Sequence, residues 1–261
     1  MARMILAAMI GLAVGVVVGM LGAGGGILSV PILVYILGQE PHQAAAASLV
    51  IVALTACVSI IPHARAGRVN WRDGLVFAAL SALGSFVGAR LSALVAPAFL
   101  MASFGVLLSV VAVVMLRNAW TMRGESAGGG SEDRAVSPLA LAAVATLTGV
   151  LTGFFGVGGG FAVVPALVLV LHFSPKKATG TSLLVMIIAS AVGLLGRIGT
   201  GVELNWGIAL AFAAASMGGG LVGAKLTTRV RESTLTLSFG VLLACVAVGT
   251  LIEAVPGVVA G

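Results

Sequence analysis

The chain alternates between long apolar runs and short polar connections. Most runs extend over about 17–23 residues, the length at which a helix crosses a bilayer, and none alternates with the period of a barrel strand. We therefore predict ten helical segments. They are Met4–Leu21, Ile27–Leu37, Gln43–Ile61, Gly74–Val95, Phe99–Leu116, Leu139–Phe155, Phe161–Phe173, Ala178–Leu195, Gly207–Leu226 and Leu235–Ile252.

The composition supports lipid as the solvent of this chain. Apolar residues make up 60% of it and charged residues only 8%, whereas a soluble domain carries roughly 25% charged residues. We predict an all-α polytopic membrane protein. In a soluble protein the net charge of +6 would suggest nucleic acid as a partner, but here Lys and Arg are expected to mark cytoplasmic loops.

A glycine-rich stretch occurs twice. Gly19–Pro31 returns as Gly153–Pro165 at an offset of 134 residues. Other pairs follow at nearly the same spacing, such as Asn70-Trp71 with Asn205-Trp206. The sequence therefore predicts two structurally equivalent repeats. Their expected limits are residues 1–117 and 138–261, joined by a flexible polar linker at residues 118–137.

The second segment of each repeat is too short to cross the membrane. Ile27–Leu37 would form a helix of about 16 Å, half of a 30 Å hydrocarbon core. The glycine stretch is thus predicted to be a helix break or the tip of a re-entrant hairpin. In either case the chain returns to the side of the membrane from which it started. Each repeat of about five segments then crosses the membrane an odd number of times, so the two repeats are predicted to be inverted relative to each other, with the glycine segments at their interface.

The distribution of cations supports this topology over a rival with four crossings per repeat and parallel repeats. With the N-terminus outside, the outside regions keep only Arg3, Arg90 and Arg197. The inside loops then contain Arg65, Arg68, Arg72, Arg117, Arg123, Arg134, Lys176, Lys177, Lys225, Arg229 and Arg231. Because cytoplasmic loops are enriched in Lys and Arg, the inverted arrangement is favoured.

The triple glycines Gly24–Gly26 and Gly158–Gly160 each precede a short helix. Their N–H groups would point from the positive end of the helix dipole, with no side chain in the way, which is suited to an anion. The alternative is close helix packing, which we assign to Gly11, Gly15 and Gly19. The candidate substrate-binding glycines are Gly22, Gly24, Gly25, Gly26, Gly156, Gly158, Gly159 and Gly160.

Hydroxyl groups and two cations complete the candidate site. Ser48 and Ser182 are equivalent, Thr181 adjoins Ser182, and all three could donate to an anion; the alternative is a bond to a carbonyl of the same helix. Arg90 and Lys225, also equivalent, could attract anions or could extend to the membrane interface. His42, His63 and His172 lie near segment ends and are interpreted as interfacial, without the spacing of metal ligands.

The two G-x-x-G-x-G-G-G-x-x-x-x-P stretches are each followed by P-x-x-A-x-x-x-S-L. With both copies in register, the chain resembles the sulfite exporter TauE/SafE family of membrane permeases over nearly its whole length. The resemblance implies a multi-pass protein of the cytoplasmic membrane that moves small anions such as sulfite, sulfonates or related organic acids.

The expected partners are therefore a small anionic substrate and the lipid bilayer, with no nucleic acid; a homo-oligomer is left open. We identify no cofactor or metal site, and no nucleophile paired with a base, so an enzyme is not expected. The alternative function is that of a non-transporting membrane assembly factor or accessory protein. The repeat disfavours it, because a scaffold has no use for a site between two halves.

Overall fold

The computed structural model describes residues 2–21, 26–124, 138–226, 230 and 232–259. These residues form helices and connections, with no strand among them. The helices are α1 (Ala2–Leu21), α2 (Gly26–Pro31), α3 (Pro41–Arg65), α4 (Trp71–Ser92), α5 (Pro97–Gly124), α6 (Pro138–Phe155), α7 (Gly160–Leu169), α8 (Pro175–Gly196), α9 (Trp206–Leu226) and α10 (Glu232–Val259). Each of the ten predicted segments corresponds to one of them.

Local sequence explains several helix ends. Helices α3 and α8 begin at Pro41 and Pro175. The first N–H groups of a helix have no acceptor within it, so a proline, which lacks the N–H, costs no hydrogen bond there. The side chain of Asn70 caps α4 by accepting from the backbone N–H of Asp73, and Asn205 accepts from that of Ile208 at the start of α9. The repeated Asn-Trp pair is therefore a helix start.

The short segments are interrupted near a proline. Helix α2 ends at Pro31 and continues as one π-helical turn, Ile32–Ile36, whereas Pro165 lies inside α7, which ends at Leu169. Proline donates no backbone hydrogen bond, so it weakens the regular helix at this point. Neither element is long enough to cross a bilayer.

Within the described part of the chain, seven helices are long and apolar enough to cross a membrane, by length and composition. They comprise α1, α3, α4, α5, α8, α9 and α10, in whole or in part. Together with the scarcity of charge, they define a multi-pass membrane protein. Helix α5 extends to Gly124, so residues 118–124 of the predicted linker are helical; the remainder of that linker lies outside the described residues.

The two repeats are interleaved by close contacts between glycines and backbone. A Cβ on Gly15 of α1 would overlap the carbonyl of Ser216 on α9, and one on Gly149 of α6 would overlap the carbonyl of Ser81 on α4. Along α1 and α9 the contacts advance in the same direction, because Gly11 lies against Phe212 and Gly19 lies against Gly220. These helices are therefore parallel, and so are α4 and α6. The packing role predicted for Gly11, Gly15 and Gly19 is confirmed.

Two further pairs hold equivalent helices side by side. In α5 and α10, Gly105 lies against Leu251 and Gly240 lies against Leu116, so these helices are antiparallel. Helices α3 and α8 also contact each other, with Leu49 beside Gly193. The short helices α2 and α7 lie between these two pairs, because they share a buried cluster with α5 and α10 and also pack on α3 and α8.

Candidate functional site

The second glycine stretch is a true backbone break. Gly156, Gly158 and Gly159 have φ values of +68°, +70° and +76°, a left-handed conformation that residues with a Cβ rarely adopt. Gly159 is the N-cap of α7, and Gly160 is its first residue. The N–H groups of Gly160 and Phe161 have no backbone acceptor among the described residues. The lack of a backbone acceptor is usual for the first N–H groups of a helix.

The first glycine stretch meets the second. Gly22, Gly24 and Gly25 lie outside the described residues, so the predicted binding role of these three stays a prediction. Gly26 is described and opens α2, where a Cβ would overlap the backbone of Val157 in the second break. The two repeats therefore bring their glycine elements into direct contact at one place.

One face of α3 covers the second break. The carbonyl of Ala45 lies against Gly156, and the side chain of Val52 lies against Gly158. Ser48 is three residues after Ala45 and four before Val52, so it shares that face. Its side chain is fully buried, and its hydroxyl has no hydrogen-bond partner. Ser48 therefore places an unused polar group beside the break.

Helix α8 contacts the end of α1, just before the first triple glycine. The hydroxyl of Thr179 donates to the carbonyl of Pro175 in its own helix at 2.8 Å and also lies 3.3 Å from the carbonyl oxygen of Leu21. That of Ser182 donates to the carbonyl of Thr179 at 2.8 Å, the alternative considered from the sequence. Thr181 accepts from the backbone N–H of Asn70 at 3.0 Å. Of the three candidate hydroxyls, Ser48 alone is unpaired.

An aromatic cluster packs beside the second break. Phe155 and Phe161 flank the second break, and both contact Phe104 of α5, with ring centroids 5.4 Å and 6.3 Å apart. All three side chains are buried, together with Ile27 of α2 and Val157. Because this cover is apolar, a charge held between the breaks would interact strongly with the few polar groups beside it.

The predicted cations are exposed. Arg90 and Lys225 lie on the outer sides of α4 and α9. The guanidinium of Arg90 lies over the ring of Phe86, 5.6 Å from its centroid. This placement favours the interfacial alternative for Arg90. Among the described residues, no group of three or more His, Cys, Asp or Glu residues could hold a metal ion.

Comparison with known proteins identifies the family. The family model described as "Sulfite exporter TauE/SafE" matches residues 7–250. The chain belongs to the sulfite exporter TauE/SafE family. It is 37% identical over 245 residues to a protein of Xylella fastidiosa (strain Temecula1) named "Probable membrane transporter protein", with 90% of both chains covered. It is 29% identical over 252 residues to "Probable membrane transporter protein YunE" of Bacillus subtilis (strain 168), covering 90% of this chain and 92% of YunE.

A more distant relative is a probable membrane transporter protein of Methanocaldococcus jannaschii. The two are 28% identical over 200 residues, which cover 74% of this chain and 72% of that one. No solved structure matches the chain. Like these relatives by their names, this TauE/SafE protein is a membrane transporter.

Two buried basic groups of this TauE/SafE protein were missed from its sequence. The ring of His63 is buried rather than interfacial, and its Nε2 lies 3.1 Å from the carbonyl oxygen of Gly19. Arg197, expected in an outside loop, is also buried, and its Nη2 donates to the carbonyl of Gly153 at 3.0 Å. His63 and Arg197 are 134 residues apart, and so are their partners Gly19 and Gly153. This shared repeat offset was the signal in the sequence that could have paired the two basic residues.

Proposed function

We propose that this protein is a permease that moves a small anion, such as sulfite, a sulfonate or a related organic acid, across the cytoplasmic membrane. The anion is held by backbone N–H groups of the two glycine breaks, with Ser48 and Ser182 nearby. The protein is not an enzyme. The substrate class rests on the family resemblance, and the helix-terminus argument agrees with it.

Ser48 carries this proposal. Burying a hydroxyl without a partner costs free energy, and Ser48 is one of six such hydroxyls among the described residues. It lies on the face of α3 that contacts Gly156 and Gly158, beside the start of α7, where the N–H groups of Gly160 and Phe161 have no backbone acceptor among the described residues. An oxyanion accepts several hydrogen bonds at once and would satisfy both sets of donors.

The proposal includes inverted repeats. Helices α5 and α10 are equivalent members of the two repeats, and parallel repeats would make them run in the same direction. Their antiparallel contacts support inversion instead. In an inverted pair the two breaks approach one central site from opposite sides of the membrane, which is a recurring arrangement in secondary transporters.

The test is anion flux into liposomes containing the purified full chain, with sulfite, sulfoacetate and acetate as probes. Ser48→Ala removes one donor to a charged ligand, so KM for the transported anion should rise about tenfold or more. Without anion, thermal stability should stay equal or rise, because the hydroxyl has no partner within the protein.

The matched control is Ser109→Ala on α5, whose hydroxyl donates to the carbonyl of Gly105 in its own helix. It should leave KM within about twofold of the starting protein. Equal KM values for the two variants would remove Ser48 from the site. Failure of the unmodified protein to move any of the three anions would reject the permease for this substrate class and favour an accessory role.

A further inference from the structure

Arg197 occupies a position where a charge is unusual. The side chain is 6% exposed and follows Gly196, the last residue of α8. Its Nη2 donates to the carbonyls of Gly153 and Phe154 at 3.0 Å and 3.4 Å and to the hydroxyl of Ser92 at 3.5 Å. All of these acceptors are neutral. The Nε–H is buried and has no partner.

No acidic group compensates this charge within the described part of the chain. Burial alone lowers the pKa of Arg197, to about 10, with no contribution from a neighbouring carboxylate. The guanidinium therefore remains positive at neutral pH. The carbonyls at the C-terminal end of α6 offset part of the cost of burying this cation, but no carboxylate supplies a full counter-charge among the described residues.

The equivalent position in the other repeat shows that capping needs no charge. His63 places its Nε2 at 3.1 Å from the carbonyl of Gly19, in the same relation to α1 that Arg197 has to α6. An imidazole that is neutral can make this hydrogen bond. The cation of Arg197 is thus an addition to the capping role.

We infer that Arg197 forms an anion-binding subsite beside the second glycine break, and that the transported anion supplies its missing counter-charge. This inference rests on the proposed permease function. The contacts to Gly153 and Phe154 place the guanidinium within one helical turn of Gly156, where the break begins. A guanidinium donates to two oxygens of a carboxylate, sulfonate or sulfite group at once, a geometry that lysine lacks.

The experiment compares Arg197→Gln, Arg197→Lys and His63→Gln in the full chain, by liposome flux of sulfite, sulfoacetate and acetate and by thermal unfolding in detergent. Glutamine keeps an N–H donor for the carbonyls but removes the charge. Arg197→Gln should raise KM at least tenfold, abolish stabilisation by the anion, and leave the anion-free melting temperature equal or higher. Arg197→Lys should raise KM severalfold, and His63→Gln should stay within twofold.

A purely structural role predicts the opposite pattern. Arg197→Gln would then lower the anion-free melting temperature and leave KM unchanged, which overturns the inference while the permease stands. If Arg197→Gln fails to insert, Arg197→Lys decides, because an unchanged KM in that variant also overturns it. Absence of flux in the unmodified protein would instead reject the permease function itself, and this inference with it.

Discussion

Replacing Gly219 by alanine should force α1 away from α9, whereas the same change at Gly218 should not. A Cβ on Gly219 would lie 2.8 Å from the backbone nitrogen of Val16 and closer still to the carbonyl oxygen of Leu12. Both contacts are with backbone, which cannot rotate out of the way. A Cβ on Gly218 would meet only the side chain of Leu12, at an ordinary 3.9 Å.

The magnitude follows from these distances. Ordinary contact begins at 3.4 Å, so the helices must separate by about 0.6 Å or more along this direction. A gap of this size removes a quarter to a half of the dispersion attraction between the atoms it separates, and overpacking of this kind costs about 1–3 kcal/mol. Gly218→Ala should instead gain about 0.5–1 kcal/mol, because alanine loses less backbone entropy in a helix.

The assay is thermal unfolding of both variants in the same detergent, with flux as a second measurement. The variants should differ by about 1.5–4 kcal/mol, which corresponds to melting temperatures on the order of 3–16 °C apart. Equal melting temperatures would show that α1 and α9 tolerate a wider separation than their backbone contacts indicate, and would refute close packing as the reason for these glycines.

Three further predictions concern hydrogen bonds and topology. Ser81→Ala and Ser216→Ala each remove a hydroxyl that donates to a carbonyl of the neighbouring helix. Each should lower the free energy of unfolding in detergent by about 1 kcal/mol, and a loss at one serine alone would argue against equivalent repeats. Asn70→Ala should cost about 0.5–2 kcal/mol and more than Asn205→Ala, because the side-chain amide of Asn70 also donates to the carboxylate of Asp73; the bond to Thr181 comes from the backbone N–H of Asn70 and is kept, and equal losses would contradict this. A single cysteine at Ser131, in the linker outside the described residues, should react only with reagents applied from the cytoplasmic side, and labelling from outside alone would refute the topology.

The sequence was sufficient for the helices but not for their partners. Apolar run length located all ten segments, since a bilayer sets the length of a helix that crosses it. The four-residue spacing of Gly11, Gly15 and Gly19 indicated a close contact. Spacing alone does not say which helix approaches, and the contact with α9 came from the structure.

The candidate site was predicted in outline. Gly26 lies against Val157, and Ser48 lies between two residues of α3 that contact the second break, but the binding role of these residues stays a prediction. Thr181 could not be predicted from its neighbours, since its hydroxyl accepts from Asn70, a residue 111 positions away. The burial of Arg197 was not predicted, because residues around it, including Gly199 and Gly201, have the composition of a surface loop.

Interleaving of the repeats has a consequence for synthesis of the protein. The ribosome synthesises the glycine face of α1 first, but Ser216, which packs against that face, is synthesised roughly 200 residues later. At about 5–20 residues per second, α1 waits roughly 10–40 s in the membrane with that face uncovered. Neither half can bury its own first helix, so a chain that ends after α5 should be a target for quality control. Gene fragments encoding the two halves should function only when both products are inserted together.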